Sequence, residues 1–223
     1  MKRVIEIRSA EGGDDSKFFV KDLAAAYIKL FGRLGWKHRL LDTRDGEISI
    51  EVEGQDLTGL KNEQGGHRIQ RVPPTERRGR VHSSTVTVAV MDKVCTKSHE
   101  FNDKDFEVQW YSGTGAGGQH RNKHQNSCRI IHRSSGIVAT AQCRSRENSF
   151  EEAKRAVLSK LNSANAIELH AQISVKRKEQ VGSGERGDKV RTYRFQDNTV
   201  KDHRTEKSAR ASDVLEGKFD LLW

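Results

Sequence analysis

The chain is 223 residues long, with 40 Lys and Arg against 31 Asp and Glu, a net charge of +9 and a mean hydropathy of −0.80. That length holds one large domain or two modest ones, and the cationic balance favours polyanionic partners such as nucleic acid. Cys95, Cys128 and Cys143 form no CxxC pair and support neither a disulfide framework nor a metal site, and no apolar run approaches the roughly 20 residues of a membrane helix, so the chain reads as cytoplasmic with no membrane partner.

Arg3 to Arg8 alternates as a strand, and an amphipathic helix is expected from near Asp15, with Phe19, Leu23, Tyr27 and Leu30 on one face, Asp14 or Asp15 as its cap and Gly35 as its stop. Ile48, Ile50 and Val52, then Val86, Val88 and Val90, alternate as two further strands. Between them Gln64 to Ser84 is polar and arginine-rich and holds the only two prolines, Pro73 and Pro74, which stiffen a backbone that has no other source of order. Thr96 to Asp105 lacks periodicity and marks a domain boundary. Phe106, Val108 and Trp110 then alternate into a glycine-rich loop, Cys128 to Ile131 and Gly136 to Cys143 form a hairpin, and Ser149 with Glu152 makes a capping box for a helix with Phe150, Ala153, Val157 and Leu161 on its apolar face. Gln180 to Lys189, with three glycines, is a hinge or switch; Thr192 to Phe195 resumes strand character, and the tail closes on a helical pattern ending at Leu221, Leu222 and Trp223. The expected fold class is α+β: a first domain over 1–96, a second small domain over 97–178 carrying the glycine loop, a switch over 179–190, and a C-terminal segment, 191–223, that completes the first domain.

The loop is the most informative feature. Gly113, Gly115, Gly117 and Gly118 leave almost no side-chain bulk ahead of Gln119, and from Val108 to Arg146 there is no Asp or Glu, while Arg121, Lys123, Arg129, Arg133, Arg144 and Arg146 supply positive charge. Gly-Gly-Gln alone is weak evidence, since a surface hairpin uses glycines in the same way. A phosphate loop is excluded by the lack of a following Gly-Lys-Ser/Thr. No nucleophile or acid–base pair sits here; His120 and His124 read as phosphate- or ribose-contacting groups. Any chemistry at Gln119 rests on backbone N–H donation, on positioning a water and on groups of a partner.

That loop, Gly115 to His120, together with Gly66 to Glu76, Gly79 to Ser83, Gly182 to Arg186, Arg191 to Tyr193 and Asp202 to Arg204, resembles the class I bacterial peptide chain release factors, over about Val4 to Leu222. Pro73-Pro74-Thr75 is similar to the Pro-x-Thr element of the factors that read UAA and UAG. The resemblance implies translation termination: stop-codon recognition in the ribosomal decoding centre, and peptidyl-tRNA hydrolysis in the peptidyl transferase centre, with catalysis shared with the ribosome and no cofactor. It places Gln119 at the reacting ester, with its backbone N–H near the developing oxyanion, and has Gly117 and Gly118 hold the loop's shape. It assigns Thr75, flanked by Pro73 and Pro74, to the first two codon bases, His82 to stacking on the second, Gln70 and Ser83 to the third, and Gly12 and Asp15 to the leading uridine. Gly182, Gly184 and Arg186 fall in the family's switch segment, and a glutamine methyltransferase acting on Gln119 is an implied partner. Departures are Pro74 where Ala or Val is usual, Ser83 for Thr and Asp15 for Glu. The family's helical amino-terminal domain has no counterpart ahead of Val4, so weak dependence on the recycling GTPase is expected. Two other readings remain open at this stage: a codon-independent rescue hydrolase, disfavoured by Gln70, Thr75 and His82 and by a tail that is not basic, and a non-catalytic RNA-binding protein.

Overall fold

A computed structural model describes residues 1–93, 102, 104–114, 123–182 and 187–223. The fold is α+β in two compact units, Met1–Val94 with Ile173–Trp223, and Cys95–Gln172.

The first unit is built on one mixed sheet. Its strands are β1 (Lys2–Ser9), β2 (Lys37–Arg44), β3 (Glu47–Glu53), β4 (Gly65–Arg71), β5 (His82–Asp92), β9 (Lys189–Arg194), β10 (Thr199–Asp202) and β11 (Ser208–Arg210). Their order is β11-β10-β9-β4-β5-β1-β3-β2. Alternation sends Ile5, Ile7, Ile50, Val52, Val86 and Val88 to a single face, each 7% exposed or less, where helix α1 (Asp14–Arg33) lays down Phe19, Leu23, Tyr27 and Leu30, all 0% exposed. The chain leaves α1 through Gly35 (φ +69°) into the edge strand β2.

The segment 64–84 corrects the sequence reading, because β4 lies inside the sheet, antiparallel to β5 on one side and parallel to β9 on the other. Its polar composition hid it. The buried His67 is satisfied internally, with Nε2 2.9 Å from the Glu63 carbonyl and Nδ1 3.2 Å from the Tyr193 hydroxyl. Gly66 is required by the parallel neighbour, since a Cβ there would sit 2.5 Å from the Asp188 carbonyl oxygen. Strand β2 was also missed, because its residues are almost all exposed and show no alternation.

A buried ionic cluster joins the C-terminal strands to this sheet. Arg191 and Glu63 are fully buried and form a two-pronged pair at 2.6 and 3.0 Å. Arg191 also donates to Asp202 at 2.9 and 3.1 Å, and Glu63 accepts from the Tyr27 hydroxyl at 2.9 Å and the Trp223 indole at 2.6 Å. Burial pushes the Asp202 carboxyl up, but the Thr205 N–H, the Arg191 charge and the Arg204 N–H outweigh it and leave it below the usual range. Phe219 stacks on Tyr27 at 4.6 Å. The tail is helical only in short pieces, α3 (Ala211–Leu215) and a 3-10 turn (Phe219–Leu222), where a longer helical pattern was expected.

The second unit is a three-stranded antiparallel sheet, β6 (Phe106–Tyr111), β7 (Ser127–His132) and β8 (Val138–Ala141), in the order β6-β7-β8. The first part of helix α2 (Arg146–Val181) covers it with Ala153, Val157 and Leu161. The helix starts three residues before the expected Ser149. Ser145 Oγ accepts the Asn148 N–H at 3.0 Å, while Ser149 Oγ is buried and accepts the Cys143 N–H at 2.9 Å. At its far end α2 runs to Val181, so the first residues of the expected hinge are helical. There, within the first unit, Arg177 donates to Glu6 at 2.9 Å, and Gln180 both accepts from and donates to the backbone of Val90 at 2.9 Å.

Candidate functional site

The β4–β5 pair carries most of the candidate residues of the first unit. In its register Gln70 lies opposite Ser83 and Arg71 opposite His82. Gln70 and Ser83 therefore share one face, and Arg71 and His82 the other. Neighbouring arginines fix the first two, because Arg68 Nε donates to Ser83 Oγ at 2.7 Å and Arg194 Nε donates to Gln70 Oε1 at 3.3 Å.

Residues 72–81 connect the two strands. Pro73 is buried, whereas Pro74 and Thr75 stand exposed at the tip. The Glu76 N–H donates to the Pro73 carbonyl at 3.0 Å and closes the turn. The Glu76 side chain, 7% exposed, gathers the rest of the loop. It accepts the Arg78 N–H at 2.7 Å and Arg80 at 3.2 Å, and lies 2.9 Å from His82 Nε2. The Arg78 N–H holds the Glu76 carboxyl below its usual value against the effect of burial, with Arg80 and His82 assisting.

The amino end of α1 meets these strand ends. The Ala10 N–H donates to the Thr85 carbonyl and the Thr85 N–H to the Glu11 carbonyl, which ties residues 10 and 11 to β5. Gly12 has φ +118°, and a Cβ there would be 2.3 Å from Ser84 Oγ. Asp14 and Asp15 do not cap the helix: the residue before it is Gly13, and no side chain caps it. Asp15 is instead 3% exposed, with one oxygen accepting from Arg71 Nε at 2.7 Å and the other from Ser84 Oγ at 2.9 Å. Gly12, Asp15, Gln70, Pro73, Pro74, Thr75, His82 and Ser83 thus belong to one connected region.

Gly117, Gly118 and Gln119, the boundary residues Thr96 to Phe101, and Gly184 and Arg186 of the switch lie outside the described residues. Gly182 directly follows α2 at φ +67°, with its N–H on the Lys178 carbonyl at 3.0 Å. The stem below the glycine loop is described: β6 ends and β7 begins at the pair Tyr111 and Ser127. The Arg146 guanidinium lies 4.1 Å over the Trp110 ring, and Gln142 donates to the Tyr111 hydroxyl at 3.3 Å. Arg129 and Arg144 are exposed there, an arrangement fit for phosphates, while Arg133 is exposed at the opposite end of β7, where its N–H meets the Asp105 carbonyl. Among the described residues, no three His, Cys, Asp or Glu side chains gather as a metal site, and no helix is long and apolar enough to cross a membrane.

Sequence reasoning gave no role to Arg68, Arg71, Glu76 or Arg194, which fix the recognised residues. The readable signal was a polar residue at nearly every position of a stretch that a sheet nonetheless had to contain.

The PCRF domain matches residues 1–88 and the RF-1 domain residues 95–204, which defines a two-domain protein of the translation-release class. Peptide chain release factor 1 of Acetivibrio thermocellus is 39% identical over 98% of this chain and 63% of its own length. Peptide chain release factor 1 of Thermotoga maritima is 37% identical over 99% of this chain and 67% of its own length. The solved structure of RF2 of Thermus thermophilus superposes with a TM-score of 0.56 at 26% identity, covering 100% of this chain and 66% of that one. The chain belongs to the peptide chain release factor family, and it spans about two thirds of the length of these relatives.

Proposed function

We propose that this protein acts in translation termination, recognising UAA and UAG in the ribosomal A site and triggering hydrolysis of the peptidyl-tRNA ester. The observation that carries this reading is the Pro73-Pro74-Thr75 tip, raised on β4 and β5 above the pair Arg71 and His82, with Gln70 and Ser83 paired one step further down. Thr75 donates and accepts at the first two bases, His82 stacks on the second, and Gln70 with Ser83 reads the third. A neutral hydroxyl and a neutral amide suit base edges that offer both donors and acceptors. Gly12 lets the backbone at the start of α1 reach the leading uridine. Asp15, buried on Arg71 and Ser84, acts by holding that backbone in place.

In the second unit Gln119 positions water, and its N–H stabilises the oxyanion as the ester is attacked, while Gly117 and Gly118 permit the required backbone. With no general base assigned in the loop, proton transfer falls to the ribosome and the tRNA. The partners are then the ribosome, the mRNA stop codon and peptidyl-tRNA, with Gln119 a substrate for a glutamine methyltransferase. Gly182, Gly184 and Arg186 lie in the segment that changes course when codon reading is coupled to the catalytic unit.

Thr75→Ala tests the codon assignment. A hydrogen bond to a base edge is worth ~1–3 kcal/mol, so release at UAA and UAG falls by about one to two orders of magnitude, with the urea midpoint unchanged. Parental release at both codons overturns the assignment.

A further inference from the structure

Arg71 ends β4, two residues before Pro73, and its guanidinium ties the root of the tip loop to helix α1. Nε donates to Asp15 at 2.7 Å and Nη1 to Asp22 at 2.9 Å. The guanidinium carbon lies 5.7 Å from the Phe19 ring centroid and 5.5 Å from that of Phe195, so it is held between an α1 residue and the residue that follows β9. The side chain is only 12% exposed. Nη2 is buried with no hydrogen-bond partner among the described residues. Beyond Asp15 the chain of contacts continues to Ser84 and, through Ser84, to the close approach at Gly12.

We infer that Arg71 is a positioning residue for codon discrimination: it fixes the start of α1 relative to the Pro73-Pro74-Thr75 tip, so that two separate elements meet the codon at a set spacing. This rests on the proposed codon reading. The planar fork is essential, since it reaches carboxylates two turns apart on α1 while lying between two rings, and a lysine ammonium supplies the charge without that span. Among the described residues both ion pairs of Arg71 go to carboxylates of α1, so the pairing sets the loop's distance from that helix.

The test compares the parent with Arg71→Lys, and with Asp22→Asn as a variant at a partly exposed position. Two measurements are made: amide exchange in the free protein, and peptide release from ribosomes carrying stop or near-cognate codons. Arg71→Lys is expected to speed exchange of the Glu76 amide, which closes the tip turn, by about tenfold or more while the amides of β1 and β3 keep their parental rates. It should raise the half-saturating concentration at UAA by about ten- to a hundredfold, with the saturated release rate near parental, and lower the ratio of stop to near-cognate release. Asp22→Asn should move each quantity in the same direction by less. Parental Glu76 exchange and codon ratio in Arg71→Lys overturn the inference, and so does uniformly faster exchange across the first unit, which means a purely structural role. If the parent releases peptide at no codon, the functional reading fails, while Glu76 exchange still decides whether Arg71 positions the tip.

Discussion

Replacing Arg191 by Met tests what holds the C-terminal strands beside β4 and β5. Arg191 makes four hydrogen bonds, two to Glu63 and two to Asp202, and its side chain is wholly buried. Met roughly preserves the stem volume but leaves two carboxylates in a dry interior without a cation. Breaking a buried pair from one side costs about 3–5 kcal/mol, because the remaining charge is desolvated and uncompensated. The pH dependence identifies the cause. In the parent the Asp202 carboxyl sits below its usual value, so its contribution is present above the ordinary carboxylate range and is lost as pH falls through the lowered value. In the variant the folded state takes up protons that the unfolded chain does not bind, so its stability declines as pH rises. The loss measured by urea unfolding should therefore be largest near pH 8 and smaller by about 1 kcal/mol or more near pH 5. Since β9 also places Arg194 on Gln70, release at stop codons should weaken in parallel. A loss under about 1 kcal/mol, or one of equal size at both pH values, would refute the electrostatic account of this core.

Two further outcomes follow from single positions. His67 is buried and neutral, its value lowered from 6.5 to about 4 chiefly by burial and also by the Arg191 charge. The unfolded chain binds this proton first, so stability should fall by about 3 kcal/mol as pH drops from 6.5 to about 4, and a His67→Gln variant should lose that slope; parallel curves would contradict it. Gly12→Ala combines φ +118° with a Cβ 2.3 Å from Ser84 Oγ. Backbone strain and overpacking together predict a loss of about 2–5 kcal/mol by urea unfolding, and a loss under about 1 kcal/mol would mean that the contact with β5 yields freely.

Apolar periodicity made most of the first unit readable. Phe19, Leu23, Tyr27 and Leu30 mark α1 and its inner face, and Val86, Val88 and Val90 mark β5, because each pattern reports burial against one opposing layer. Strand β4 escaped because its burial is achieved by polar groups that find partners far along the chain. His67 meets Tyr193 and Gln70 meets Arg194, pairings that no local window contains. Asp15 was misread as a cap for the same reason, since its partners Arg71 and Ser84 are 56 and 69 residues away. The candidate motif residues of the first unit could be named from the sequence, while the arginines and Glu76 that contact them could not. Their role depends on register and on the fold of the loop.

The central claim is stop-codon-dependent release, and single-turnover peptide release tests it most directly. Ribosomes carrying UAA, UAG, UGA or a sense codon, and ribosomes with an empty A site, are each mixed with the parent chain and with Gln119→Ala. Fast release by the parent at UAA and UAG, little release at UGA, at the sense codon and in the empty site, and a Gln119→Ala protein that still binds but releases slowly are the expected results. Equal release from the empty or sense-programmed site would contradict the account and indicate codon-independent rescue.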